Sequence, residues 1–247
     1  ALADFDGDGL QEIGAVSTLT HAGSTIFNYL ADWAPGKTCL HLPGWPQNPN
    51  PTTTQKGYWG DSSAFDVDGD GLCELFGPAK NGNLYAWHAN GTPLGASAAF
   101  KTGLGTYMRC SPSFANLDAD PQYEIIFGSP TGVLHIWNAD GSNFGTFPKT
   151  AGTLSYGNTA VGDVNDDGIL DVVYVTEGGA INVYNTQTGN QLSGWPKSIV
   201  MKSSAKTPSP ALADFEGDGK LEILIANNGY PATNSQMQIY NYLGTLV

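Results

Sequence analysis

The sequence is short of positive charge, of cysteine and of long apolar runs, and each shortage excludes something. No apolar run approaches the ~20 residues a helix needs to cross a bilayer, so helical membrane insertion is not expected. Ten Lys and Arg face 23 Asp and Glu, a formal charge of -13. That balance argues against nucleic acid, whose binding rests on cationic contacts to phosphate. Three cysteines, Cys39, Cys73 and Cys110, are too few and too scattered for a disulfide framework. One bridge with a free thiol and three buried thiols both remain open. Catalytic signatures are missing too: there is no G-x-S-x-G elbow, H-E-x-x-H pair, Cys-x-x-Cys pair or phosphate-binding loop. A non-enzyme is expected.

A sustained helical period is also absent. With Gly 32, Pro 15 and charged residues at only 13% of 247, the composition fits many short strands joined by turns.

What the chain has in plenty is one acidic loop, written five times. The copies start at Asp4, Asp66, Asn116, Asp163 and Asp214, a period near fifty residues that implies stacked supersecondary units. Positions 1, 3, 5 and 9 carry side-chain oxygens. They are Asp4, Asp6, Asp8 and Glu12; Asp66, Asp68, Asp70 and Glu74; Asn116, Asp118, Asp120 and Glu124. The last two copies supply Asp163, Asn165, Asp167 and Asp171, then Asp214, Glu216, Asp218 and Glu222. Such oxygens repel one another unless a cation sits among them, and hard oxygen donors at alternating positions describe a calcium cage. The carbonyl at position 7 completes that geometry, which points to Leu10, Leu72, Gln122, Ile169 and Lys220. Up to five calcium ions are expected, and five divalent ions would bring the charge from -13 to about -3.

The copies are unequal. Loops one and two are complete. Loop four has neutral Asn165 at position 3, and loop five has the longer Glu216 there. Loop three combines Asn116, Ala119 and Pro121, and a proline at position 6 fixes φ where glycine would take a positive value. It is expected to bind most weakly.

Each unit repeats the same order of parts. A small-residue strand (Ser111 to Ala115, Pro210 to Asp214) precedes the loop, and an apolar strand (Glu124 to Phe127, Asp171 to Val175) follows it. An Asn-Gly or Gly-Gly turn then leads to an alternating strand ending in Trp87, Trp137, Tyr184 or Tyr240. A weaker fourth strand is expected to end at Trp45-Pro46, Phe147-Pro148 or Trp195-Pro196. Four antiparallel strands per unit predict an all-β fold: a β-propeller of four-stranded antiparallel blades, five in this chain. One domain over 1–247 is expected, with blade units near 1–57, 58–106, 107–154, 155–204 and 205–247. Five blades form either a closed ring or part of a larger one; units that begin and end in phase favour closure.

On these motifs the whole chain resembles the FG-GAP/VCBS repeat family, with blades like those of integrin α-subunit propellers. The resemblance implies that each loop joins the first two strands of a blade and holds calcium. It further implies a secreted or cell-surface module that recognises a protein or carbohydrate, covalently linked to further domains. Alternatives are an accessory or catalytic propeller of an extracellular polysaccharide- or protein-degrading enzyme, or a structural subunit of a surface assembly. A ligand surface is expected on the connections preceding the first strands, at Tyr58, Trp59, Tyr107, Arg109 and Tyr156; those rings could equally plug the gaps between blades. His88 and His135 lie at the alternating strands and are read as ordinary strand residues.

Overall fold

A computed structural model of the chain describes residues 1–16, 27–30, 40–47, 57–58, 60–200, 207–226 and 237–247. It contains five antiparallel meander sheets, one for each acidic loop. Blade one comprises β1 (Leu2–Ala3), β2 (Glu12–Ala15), β3 (Phe27–Leu30) and β4 (Leu40–His41). Blade two comprises β5 (Ser63–Phe65), β6 (Glu74–Pro78) and β7 (Leu84–Trp87). Blade three comprises β8 (Ser113–Ala115), β9 (Glu124–Gly128), β10 (Val133–Trp137) and β11 (Lys149–Thr150). Blade four comprises β12 (Ala160–Gly162), β13 (Asp171–Val175), β14 (Ala180–Asn185) and β15 (Lys197–Ser198). Blade five comprises β16 (Ala211–Ala213), β17 (Glu222–Ala226) and β18 (Met237–Tyr240). In blade two the fourth strand is reduced to an isolated bridge, Leu84 to Lys101, and in blade five the bridge Tyr240 to Leu246 is the counterpart of Trp137 to Asn143 and Tyr184 to Gln191.

In blades two to four the second strand is buried on both faces, which explains its unbroken apolar sequence. Successive side chains of a strand point to opposite faces. In β9, Ile125 and Phe127 pack toward blade two while Ile126 packs toward blade four. The residue after each loop's ninth position pairs with the repeated aromatic: Leu75 with Trp87, Ile125 with Trp137, Val172 with Tyr184 and Ile223 with Tyr240. Each aromatic then meets a ring from the preceding unit. Trp45 lies edge-on to Trp87 at 6.0 Å, and Trp195 to Tyr240 at 6.0 Å. Their indole N–H groups bond to the carbonyls of Ala89 and Tyr242, so a large apolar contact and a satisfied polar tip occur together.

The first strands crowd together, and small hydroxyl residues link them. Thr159 Oγ1 bonds Ser113 Oγ at 3.0 Å, Ser111 Oγ bonds the Asp61 carbonyl at 2.7 Å, and the Asn158 N–H bonds Ser209 Oγ at 3.0 Å.

One expectation needs correction. In blades three and four the prolines do not end the fourth strands, although in blade one β4 does precede Trp45-Pro46. Pro148 and Pro196 sit in turns that precede β11 and β15, while Asn143 and Gln191 make bridges upstream of those turns. Proline has no N–H to donate, so it occupies the break in pairing.

The described residues show no contact that closes a ring. Among the described residues, apolar clusters join blades one and two, two and three, three and four, and four and five. None joins five to one. Ile13 is 37% exposed, whereas its equivalents Leu75, Ile125, Val172 and Ile223 are fully buried. At position 2 of the loop, Phe5 is fully buried against blade two, but Phe215 of blade five is 57% exposed. The phase of the repeats fixes the blade unit; it carries no information on whether the last face meets the first.

Candidate metal centres

Each loop spans the gap between the first and second strands, and four of the five curl in the same way. Positive φ occurs at position 4 in Gly7, Gly69, Asp166 and Gly217, and at position 6 in Gly9, Gly71, Gly168 and Gly219. Only a glycine, or a short polar residue such as Asp166, takes that conformation at small cost. The curl turns backbone N–H groups onto the first carboxylate. Asp66 Oδ1 accepts from Gly69 at 2.8 Å and Oδ2 from Gly71 at 3.0 Å; Asp4 and Asp214 repeat this. The position-5 carboxylate accepts the N–H of residue 7, as Asp70 does from Leu72 at 2.8 Å. The ninth residue reaches back to the N–H of position 2: Glu12 to Phe5, Glu74 to Val67, Glu124 to Leu117, Asp171 to Val164 and Glu222 to Phe215.

These bonds use one oxygen of the ninth carboxylate and leave the other facing the loop. Glu12 Oε1 is buried with no hydrogen-bond partner, and so is Asn165 Oδ1. Asp171 Oδ1 is likewise buried without a bond of good geometry, with only the Asn185 amide beside it. A buried oxygen left unpaired costs about 1–3 kcal/mol, more when charged. Three such atoms at ligand positions of two loops, the first and the fourth, fit a cation among them. The carboxylates themselves cluster: Asp4, Asp6 and Asp8; Asp118, Asp120 and Glu124; and Asp68, Asp70 and Glu74 with His88. If calcium is the ion, its preference for six to eight oxygens suits this donor set.

The field inside the loops is strongly negative. Burial, with the neighbouring Asp68, Asp70 and Asp66, pushes Glu74 up to about 8. Burial and the nearby Asp167 and Asp163 push Asp171 up to about 7. Glu12 and Glu124 are raised for the same reasons. Asp214, exposed and receiving backbone N–H groups from Gly219 and Gly217, is lowered.

Loop three departs in the way its sequence implies. Ala119 is not at positive φ, and Pro121 has no N–H for the first residue. Asn116 instead donates Nδ2 to the Asp120 carbonyl at 2.7 Å. Three carboxylates converge, but the first donor has turned to the backbone. In loop five, Lys220 Nζ lies 3.7 Å from Asp218 Oδ2 and competes for that carboxylate. We expect calcium calorimetry on Asp118→Ala to leave the tight sites unchanged, while Asp4→Ala removes one. Loop three emerging as the tightest site would overturn this ranking.

The expected ligand strip divides. Tyr58 is 3% exposed and packs edge-on to Tyr85, so it fills the gap between blades one and two and belongs to no open surface. Trp59 lies outside the described residues. Tyr107 is 39% exposed at φ 65°, with Lys80 Nζ 5.3 Å from its ring centre. The Arg109 guanidinium stacks 5.4 Å over Tyr156. Both lie at the ends of first strands away from the loops.

Sequence reasoning passed over His88. Its Nδ1 lies 3.2 Å from Glu74 Oε1 and 3.6 Å from Asp68 Oδ2. The signal was available: the residue after the repeated aromatic is Asn138, Asn185 and Asn241 in blades three to five, and His88 breaks that row. His135 remains a strand residue, stacked on Trp137 at 4.9 Å and lowered to about 4 by burial and then Lys101. Cys73 and Cys110 are free thiols.

Residues 163–225, running from the fourth loop through most of β17, match the FG-GAP-like repeat. The chain is a β-propeller carrying an FG-GAP-like repeat. The other loops follow the same period and, loop three apart, the same turn. The crystal structure of the V. cholerae biofilm matrix protein Bap1 matches with TM-score 0.61 and 17% identity, covering 99% of this chain and 37% of that one. BBS1N, solved in complex with ARL6DN, matches with TM-score 0.59 and 12% identity over 100% of this chain and 66% of that one. This chain therefore spans from about a third to about two thirds of those proteins, and the likeness is one of fold. A search of the curated proteins matched none.

Proposed function

We propose that this chain is a calcium-braced recognition module of an extracellular or cell-surface protein, without catalytic activity of its own. The observation that carries the bracing is the buried, partnerless ligand oxygen of Glu12, repeated in kind at Asn165 and Asp171. A cation there ties the first strand of a blade to its second and holds the position-2 residue against the next blade. The fold likeness to a biofilm matrix protein supports the extracellular setting.

Recognition falls to the strip of Tyr107, Arg109 and Tyr156, at the strand ends away from the loops. The Arg109 guanidinium stacked on the Tyr156 ring, and the exposed Tyr107 ring two residues before Arg109 in sequence, offer flat apolar faces with a cationic group. Such a surface suits the mixed apolar and hydroxylated faces of a glycan, or a protein loop. The non-catalytic reading follows from where the titratable groups go. His88 is engaged by Glu74, His135 is packed on Trp137, and most carboxylates sit in the loops.

A glycan array probed with the calcium-loaded chain tests this. Binding should fall by about thirtyfold or more in Tyr156→Ala, the scale of a lost hot-spot aromatic, with an unchanged melting temperature. Binding that ignores Tyr107→Ala, Arg109→Ala and Tyr156→Ala would move the recognition surface elsewhere.

A further inference from the structure

We infer that the second loop, together with His88, is a nitrogen-and-oxygen site for a zinc-class divalent transition ion, unlike the oxygen-only cages of the other loops. The inference rests on the reading of these loops as cation sites.

Four donors from two parts of blade two converge here. Asp68 and Asp70 come from the loop, Glu74 opens β6, and His88 follows β7; one ligand atom from each lies within 4.8 Å of all the others. The loop's own backbone already uses one oxygen of each carboxylate. Asp68 Oδ1 takes the Asp70 N–H, Asp70 Oδ1 takes the Leu72 N–H, and Glu74 Oε2 takes the Val67 N–H. The oxygens nearest His88 Nδ1 are the other ones, Glu74 Oε1 at 3.2 Å and Asp68 Oδ2 at 3.6 Å. Around an ion with bonds of about 2.1 Å, neighbouring ligand atoms lie roughly 3.0–3.5 Å apart. The Glu74 separation lies in that range and the Asp68 separation about 0.1 Å beyond it, so a small inward shift of the four donors would close one coordination shell.

The donor type then decides the ion. Calcium and magnesium take oxygen, whereas imidazole with carboxylate suits zinc, nickel or copper. At the matching positions of blades three to five, Asn138, Asn185 and Asn241 can offer only an amide oxygen to a cation. In blade two the ninth carboxylate is instead joined by a nitrogen that replaces the unpaired state seen at Glu12 Oε1. A cavity of about 410 Å³ opens beside the site, lined by Asp6, Asp70, Leu72, His88, Asn90 and Thr92. It gives an ion entry and leaves room for water to complete the shell.

Zinc titration of the whole chain in excess calcium tests the inference, with cobalt absorbance as a second readout. One zinc equivalent should bind to the wild type, and cobalt at that site should give visible bands. His88→Asn installs the residue found in three sister blades, so the fold is retained. It should lower zinc affinity at the site by at least about 100-fold, a loss no smaller than that of an outer partner, and leave calcium binding at the other loops intact. Calcium binding without a distinct zinc equivalent would overturn this inference and leave the calcium reading standing. Zinc binding undiminished in His88→Asn would also overturn it. A chain that binds no divalent ion at all would overturn both.

Discussion

Phe5→Ala is expected to cost about 3–5 kcal/mol, while Phe215→Ala stays within about 0.5 kcal/mol. Both residues occupy position 2 of an acidic loop, follow an aspartate, and donate their N–H to the ninth carboxylate. They differ in what lies beyond. Phe5 packs with Leu75 and Trp87 of blade two, whereas Phe215 faces outward with no apolar cluster over it among the described residues. Removing a buried phenyl forfeits its transfer free energy and leaves a cavity; removing an exposed one does neither. Urea unfolding of the two variants checks this. Equal costs would mean that the outer face of blade five is covered in the folded protein.

The metal-free protein should lose stability as pH rises, and calcium should reverse that trend. Glu74 and Asp171 ionise near 8 and near 7 in the metal-free fold, against ordinary values of 4.5 and 3.8. Between those limits the folded chain holds protons that the unfolded chain has released. Stability therefore falls with rising pH, by up to about 1.4 kcal/mol per pH unit for each such carboxylate. The loss is complete once pH passes the folded values. With calcium bound, the ionised carboxylates are the ligands, protons compete with the ion, and acid becomes the destabilising condition. Melting curves with chelator and with calcium from pH 5 to pH 8 should have slopes of opposite sign. Parallel slopes would show that no ion engages these carboxylates.

Much of this was legible in the sequence because the repeat reports local chemistry. The ligand spacing from Asp66 to Glu74 sets the curl of the loop, and continuous runs such as Ile125, Ile126 and Phe127 announce strands buried on both faces. The rank of loop three follows from Asn116, Ala119 and Pro121, since the other four loops hold positive φ at the positions of Ala119 and Pro121. What stayed hidden depends on contacts between distant segments. His88 meets Glu74 across fourteen residues through strand pairing, and its break in the row of Asn138, Asn185 and Asn241 marks the position but not the partner. Tyr58 reads like its exposed counterparts, yet Tyr85 of its own blade draws it inward. Unit two lacks the aromatic-proline marker, so Phe100, which packs on Trp137 in its place, could not be aligned by motif. Closure depends on the curvature summed over all blades, which a period of fifty residues does not encode.

The central claim is that cations in these loops hold each blade together. A site kept at a hundred times its Kd adds about 2.7 kcal/mol, so the three oxygen-only loops other than loop three together add roughly 8 kcal/mol. For a chain of this size that is a rise in melting temperature on the order of 20 °C. The decisive measurement is thermal unfolding at neutral pH in chelator and in millimolar calcium. A large upward shift with calcium, saturating at several ions per chain, is the predicted result; identical melting curves in the two conditions would contradict the account.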